Sequence, residues 1–523
     1  MAERMNEILF QLLVLASIFI SIRILFRLSY GACTNIVVVL ILLYCIYESY
    51  LGLSQLLGYG QSNNRLYMMT ASFENPGPFG GFLSVCISLF IPFLLINEPN
   101  TNTDLLYKVQ YWLIVIGTVC AVIILPSTQS RSAIVALGCS FILFLVGNDK
   151  MRPVIKKVLK QYGIVILIGA VLLGVGAYQF KKPSADGRLF MDRICIKAMC
   201  TNGWKGAGIG NFGGVYGETQ ANYFKEQIEI YSSDGMSWRV INEHDRLTAD
   251  CPENAFNEYL FIGVEAGPFA MLLFICIMVA AIMISFKKRT IWCYGVTAFA
   301  VFALFSYPLH VRQFQILLPV LIAGCISGGT ERNGLIWLVS EVTVFAVLFT
   351  MIILKIPGHM EYKRAESAWK TVESWHSMGL YGYVVESCDT LLPYMNRNSV
   401  FLFAYGQSLN KTGNYEKSDS ILKMGTEISS DPMFWNVMGN NGLALGRYRE
   451  AEERYEHAFF MVPNRLYPLS LLAKLYHAEG DSVRFVEMAG IVESFVPKVE
   501  SVSTESMRSE IRELKTSYLL LEK

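Results

Sequence analysis

Ten apolar runs, each close to the length of a bilayer-crossing helix, fill the first two-thirds of the chain. They fall at 7–26, 34–53, 79–97, 109–125, 132–147, 163–180, 262–286, 291–307, 314–328 and 334–354. A spanning helix takes about 20 mostly apolar residues, so the pattern predicts about ten spans. Within lipid the backbone must satisfy its own hydrogen bonds, and for runs of this kind that leaves only helix. The expected fold is therefore all-α, a polytopic bundle. The first run lacks the small-residue cleavage site and compact charged start of a signal peptide, and reads as a true span.

Charge decides the orientation. Lys and Arg number 44 against 43 Asp and Glu, a net charge of +1, which gives no basis for nucleic-acid binding. The charges are sparse before about residue 355 and dense after it. After the fifth run stands "NDKMRPVIKKVLKQ", with Lys150, Arg152, Lys156, Lys157 and Lys160; after the seventh stand Lys287, Lys288 and Arg289. By parity these basic loops share a side, and basic loops face the cytoplasm. The alternate short connections hold only Arg65, Arg131 and Arg312. With ten spans, both termini, the long loop at about 181–261 and everything after 354 lie outside the cytoplasm.

The tail is repetitive. "GLYGYVVES" at Gly379, "GNYEKSDSI" at Gly413, "GRYREAEER" at Gly446 and "GDSVRFVEM" at Gly480 recur at spacings of 34, 33 and 34. Each glycine stands between two helical stretches, and Pro432 and Pro463 fall where the second helix of a pair should stop. The period resembles that of the tetratricopeptide repeat, whose stacked helix pairs bury a shared core. The chain thus divides at 357/358 into a membrane domain (1–357) and a soluble α-solenoid of helix pairs (358–523). Such a solenoid binds a partner protein or props up a neighbouring domain.

Polar residues that could do chemistry cluster in the connections. "PSTQSRSAIVALG" (126–138) sets Arg131 at a lipid edge among Thr128, Gln129, Ser130 and Ser132. It reads either as an interfacial anchor or as a holder of an anion. In the long loop, "GRLFMDRICIKAM" reads as a helix after an Asp186–Gly187 turn and carries Arg188 and Arg193, suited to lipid phosphates at a membrane surface. The following glycines, Gly203 to Gly214, give a flexible, tightly turning section. At the end of the loop stand Glu253, Asn254, Asn257, Glu258 and Glu265; carboxylates at a hydrocarbon edge demand a partner or a function. His244 and His310 are the histidines of the outer loops and candidates for a base. Cys195, Cys200 and Cys251 lie in the same loop, with no pairing assigned. No CxxC, HExxH or DxD pattern occurs, so neither a metal nor a cofactor is expected.

Taken in order, these segments resemble the O-antigen ligase and polymerase superfamily. "TASFENPGPFGGFL" is similar to its G-x-F-x-N-P-N-x-x-A signature, and "TQSRSAIVAL" to T-x-S-R-G-A. "DGRLFMDRICIKAMCTNGWKGAGIGNFGGVY" resembles the S-G-R-x-x-x-W … G-x-G-x-G-x-F opening of its periplasmic loop. "NAFNEYLFIGVEAGPFAMLL" resembles H-N-x-Y-L-x-x-x-x-E-x-G-x-x-G, and "LFSYPLHVRQFQILLPVLIAG" the apolar close of the domain. The likeness covers roughly residues 60 to 330, and a tetratricopeptide tail after such a domain is similar to ligases of Bacteroidetes-type bacteria.

The resemblance implies a GT-C-type, metal-independent glycosyltransferase of the bacterial inner membrane, with the loop and tail in the periplasm. Its donor would be an undecaprenyl-pyrophosphate-linked glycan and its acceptor the lipid A core. Arg131 and Arg188 match the family's two arginine positions and would hold the pyrophosphate leaving group by forked hydrogen bonds. His244, Glu258 and His310 are the candidate bases, because Phe256 stands where the family often has histidine. Arg65, Asn75, Ser130, Arg193, Asn257 and Arg312 are the candidate substrate-binding residues. A polysaccharide polymerase and a protein O-oligosaccharyltransferase share this logic. A membrane-anchored scaffold or flippase is the non-enzymatic alternative; a transporter should line a path through its spans with charges, whereas here they gather at outer ends.

Overall fold

The computed structural model describes residues 2–99, 104–149, 151–229, 242–327 and 334–521, and these contain helices and loops with no strand. The first apolar part holds α1 (Ala2–Leu28), α2 (Tyr30–Leu56), α3 (Pro76–Ile96), α4 (Leu105–Ile124), α5 (Arg131–Gly147) and α6 (Arg152–Phe180). The long loop folds as α7 (Lys182–Asn202), α8 (Phe212–Glu229), α9 (Glu243–Thr248) and α10 (Glu258–Ala266). Apolar helices α11 (Pro268–Lys288), α12 (Trp292–Ala303) and α13 (Arg312–Ser327) follow, then the long α14 (Gly334–Ser377). The tail continues with α15 (Tyr381–Met395), α16 (Ser399–Lys411), α17 (Tyr415–Thr426), α18 (Met433–Ala444), α19 (Tyr448–Met461), α20 (Tyr467–Glu479), α21 (Ser482–Ser494) and α22 (Val502–Leu521).

Among the described residues six helices are long and apolar enough to cross a membrane, or seven if α5 and α6, bent by 115° at their break, form one span. The sequence led us to expect about ten, and the difference has local causes. The 12 residues of α12 and 16 of α13 extend only about 18 and 24 Å, short of a hydrocarbon core of about 30 Å. The bent α5–α6 pair makes at most one span of two runs, and the run at 262–286, broken where Gly267 takes φ +88° and Pro268 opens α11, still supplies one. The Asp186–Gly187 turn is absent too: with Pro183 in its first turn, α7 begins at Lys182 and carries both residues inside the helix.

The bundle is organised around α3, whose side chains from Pro78 to Phe90 are buried throughout. Small residues permit this: a Cβ on Gly81 would lie 2.3 Å from the Phe302 ring, and one on Gly80 2.5 Å from Thr128 Oγ1. One end of the bundle gathers the basic connections, where Arg289 pairs with Asp149 and Lys288 donates to Ile326 O at 2.8 Å. The opposite end carries the α7–α10 segment and the tail.

Two polar clasps join α1 to α14. Near the basic end Glu341 accepts from Arg23 (2.7 Å) and Arg27 (2.8 Å), all three mostly buried. Near the other end Glu7 meets His359 Nδ1 at 2.7 Å. Residues 341 and 359 are about 27 Å apart along α14, close to the thickness of a hydrocarbon core. Glu341→Ala leaves two arginines buried without their carboxylate and is expected to cost about 3–5 kcal/mol. A clear fall in the thermal midpoint in detergent checks this; an unchanged midpoint contradicts it.

The expected boundary at 357/358 falls inside α14, which runs on through Pro357 into the tail. In the tail Gly379, Gly413, Gly446 and Gly480 have φ of +76°, +82°, +70° and +81°. Each follows one helix and precedes the next, a conformation that glycine adopts at no steric cost. The tail also lies directly on the long loop. A Cβ on Gly214 of α8 would stand 2.3 Å from Glu427 O, and one on Gly213 2.5 Å from Ile428 O. The glycine-rich stretch is thus, in its second half, a surface on which tail backbone rests.

Candidate functional site

The site forms where several helices begin. Asn75 caps α3 by accepting from Gly77 N at 2.8 Å, with Pro76 as the first helical residue. Before α5 the chain makes a 3-10 turn at Leu125–Thr128, Gln129 turns left-handed (φ +52°), and Ser130 caps the helix toward Ala133 N. Ser130 Oγ also donates to Gly77 O at 3.3 Å, so the two starts are joined and Arg131, first residue of α5, is delivered beside the start of α3. Asn257 caps α10 toward Leu260 N, and α13 opens with Arg312. Helix starts carry partial positive charge and free N–H groups, which suits an anion.

Arg188 reaches this place from α7. It donates to Phe305 O at 3.0 Å and lies over the Phe256 ring, 4.8 Å from its centroid. Burial lowers its pKa, and the neighbouring positive charge of Arg131 lowers it further. Two like charges held together in a partly buried setting form a locus whose electrostatics favour an anion between them. One turn on, Asp192 bonds to Asn257 and faces Arg188, and burial pushes its carboxyl up to about 6.

This shift carries a sign. Asp192 is a stronger proton binder folded than unfolded, so its contribution to stability falls as pH rises from about 4 through about 6. Asp192→Asn is therefore expected to raise the thermal midpoint at pH 7.5 and to leave it unchanged at pH 4, as read by scanning fluorimetry. Equal midpoints of both proteins at both pH values would contradict it.

Beyond Phe256 the site opens into a cavity of about 980 Å³. Tyr307 stands at the junction, its ring 5.3 Å from that of Phe256. Burial raises the Tyr307 pKa, and Tyr67, Glu74 and Glu253 add to the rise. The cavity walls include Glu74, Asn75, Glu253, His310 and Arg312, while Phe10, Val14, Leu15 and Ile18 of α1 form an apolar side. His310 is backed by Glu258, which is 1% exposed: Oε1 lies 3.5 Å from His310 Nδ1, and Oε2 accepts from Leu309 N at 2.9 Å. The Phe261 ring meets the imidazole edge-on at 4.2 Å.

The wall at Asn75 is held from the membrane side. Buried Glu48 of α2 accepts from Ser72 N (3.0 Å) and Ser72 Oγ (2.5 Å), and Gln55 binds the backbone of Thr70 and Ala71. A carboxylate within an apolar helix is the signal that marks Glu48 in the sequence.

Of the eleven candidate catalytic and substrate-binding residues, Asn75, Ser130, Arg131, Arg188, Asn257, Glu258, His310 and Arg312 come together here. The other three stand elsewhere. Arg65 is exposed on the loop before α3. Arg193 is paired with buried Asp245 at 2.9 Å, and exposed His244 meets Asp186 at 3.1 Å. Glu265 accepts from Gly210 N and Phe212 N and so fixes the start of α8. Cys195, Cys200 and Cys251 are free thiols. Asp192 and Tyr307 are the members of the site that the sequence reading passed over. The signal for Asp192 was its place four residues after Arg188, one helical turn on; Tyr307 sits in the motif already quoted for its apolar residues.

A multi-pass membrane protein with an anion-suited, cavity-side locus at one end of its bundle is the class these features define. Within it, residues 116–275 match the sequence model of a family described as O-antigen ligase. The matched stretch runs from α4 to α11 and contains Arg131, Arg188, Asp192, Asn257 and Glu258; the cavity residues Asn75, His310 and Arg312 and the tail lie outside it. The similarity points to glycan transfer of the ligase or polymerase kind. No curated protein matches the chain.

Proposed function

We propose that the protein transfers a glycan from an undecaprenyl-pyrophosphate carrier to the lipid A core at the periplasmic face of the bacterial inner membrane. The basic connections at one end of the bundle support the orientation, since they belong in the cytoplasm. The site and tail then face the periplasm. The observation that carries the reading is that the charges of Arg131 and Arg188 act on each other, with Phe256 under Arg188 packed against Tyr307 of the cavity wall.

In this mechanism the acceptor hydroxyl oxygen attacks the anomeric carbon, and the bond from that carbon to the phosphate oxygen breaks. The electron pair leaves with undecaprenyl pyrophosphate, where Arg131 and Arg188 stabilise the growing charge by forked hydrogen bonds. His310 takes the hydroxyl proton, with Nδ1 turned to Glu258 and Nε2 left for the substrate. Asn75, Asn257 and Arg312 orient the glycan and its phosphates, and the apolar face of α1 borders the carrier's chain. The tail is read as a tetratricopeptide-like solenoid.

The test is a deletion strain. Loss of polymer from lipid A with polymer retained on the carrier is expected. Single repeat units on lipid A would indicate a polymerase instead, and unglycosylated periplasmic proteins a protein-directed transferase.

A further inference from the structure

We infer that the C-terminal tail positions Arg188 through Arg246 and the short helix α9, an inference that goes beyond the transfer reaction and rests on it only for its kinetic arm. Arg246 is 6% exposed. Its guanidinium donates to two tail carbonyls, Val496 O at 2.8 Å and Pro463 O at 3.3 Å, and lies 5.0 Å from the Phe495 ring centroid. Glu243, 2.7 Å from its Nε, supplies the counter-charge. The tail answers with Asn464, itself buried, whose amide donates to Arg246 O (2.9 Å) and Ala249 O (2.8 Å). A buried arginine spending its donors on backbone carbonyls of a segment more than 200 residues away fixes one rigid body on another.

The two residues before Arg246 point the other way, to α7. His244 meets Asp186, and Asp245 takes Arg193 at 2.9 Å and the Tyr223 hydroxyl at 2.5 Å. Asp186 and Arg193 are seven apart and share one face of α7; Arg188 and Asp192 are four apart and share another. The face gripped by α9 therefore brackets, in sequence, the face that enters the site. Rotation or sliding of α7 is opposed at both ends of the stretch that carries Arg188. This gives Arg193 and His244 their place in the account: they are the grips on α7, and Arg246 with Asn464 is the anchor of the grips. Arg246 is a positioning residue.

The experiment uses the full chain in phosphatidylethanolamine–phosphatidylglycerol nanodiscs. Hydrogen exchange is followed by mass spectrometry for wild type, Arg246→Ala, Arg246→Lys and Asn464→Ala. Asn464→Ala removes the anchor from the tail side without stranding a buried charge, and so serves if Arg246→Ala does not fold. Faster exchange over residues 186–193 in Arg246→Ala and Asn464→Ala is expected, with helices α18 to α21 as protected as in wild type and Arg246→Lys in between. In the transfer assay kcat should fall about 10- to 100-fold with the donor KM little changed, because an arginine displaced by about an ångström still meets its ligand but misaligns the reacting atoms. Unchanged exchange over 186–193 in both alanine variants overturns the inference. So does faster exchange spread equally over the tail, which would mark general loosening. If exchange over 186–193 rises while wild type itself transfers no glycan, the positioning stands and the transferase reading fails.

Discussion

Arg188→Ala is expected to lower glycan transfer by about 10²–10³-fold at normal protein level, the loss seen when one preorganised donor is removed from a developing anion. Arg188 holds its place by one bond to Phe305 O and by the Phe256 ring, so its removal leaves no buried carboxylate stranded apart from Asp192. Arg131→Ala should behave alike, and the double variant should lose less than the product of the two, since both act on the same charge. Arg188→Lys keeps the charge but loses the planar fork and should recover only part of the rate. Transfer measured in a complemented deletion strain, with protein level by immunoblot, checks each variant. Normal transfer by Arg131→Ala and Arg188→Ala at normal level would remove the basis of the mechanism.

The second large effect concerns the base. His310→Ala is expected to cost about 10²–10⁴-fold in kcat, the range for loss of a positioned general base. Glu258→Gln tests the pair more closely. The amide oxygen can still accept from Leu309 N, which now donates to the carboxylate at 2.9 Å, so the fold is preserved. What is lost is the negative charge facing Nδ1 that stabilises the imidazolium. Glu258→Gln should therefore fall toward His310→Ala, and combining the two should add little. Full activity in Glu258→Gln would detach the carboxylate from the chemistry and leave it a structural cap.

Much of this arrangement was legible because it is local. The four tail glycines mark their own register through left-handed backbone, whereas Asn75, Ser130 and Asn257, expected from their motifs to bind substrate, cap helices. Apolar length marked where the chain is buried in lipid or bundle. It did not give the number of crossings, because a run of hydrophobic residues reads alike whether it spans, stops short as in α12, or bends as between α5 and α6. Glycine-rich sequence from 203 to 214 suggested looseness; its last two glycines, Gly213 and Gly214, instead make close backbone contact with the tail.

The candidate site divides along the same line. Motif order marks Arg131 and Arg188 but not what they neighbour: Phe256, Tyr307 and the cavity come from segments far apart in sequence, and Asp192, although one turn from Arg188, meets Asn257 only through the fold. His244 and Arg193 carried the right chemistry for a site and are engaged by Asp186 and Asp245. Residue type does not distinguish an arginine aimed at a ligand from one gripping a helix; the partner does, and here it lies 52 residues away.

Lipid binding tests the roles of Arg131 and Arg188 most directly. Purified protein in nanodiscs is titrated with undecaprenyl pyrophosphate and, separately, with undecaprenyl monophosphate, and compared with the Arg131→Ala/Arg188→Ala variant. Wild type is expected to prefer the pyrophosphate by about tenfold or more, and the double variant to lose this preference while keeping the weaker, chain-driven affinity common to both lipids. Equal affinity of wild type and variant for the pyrophosphate would contradict it.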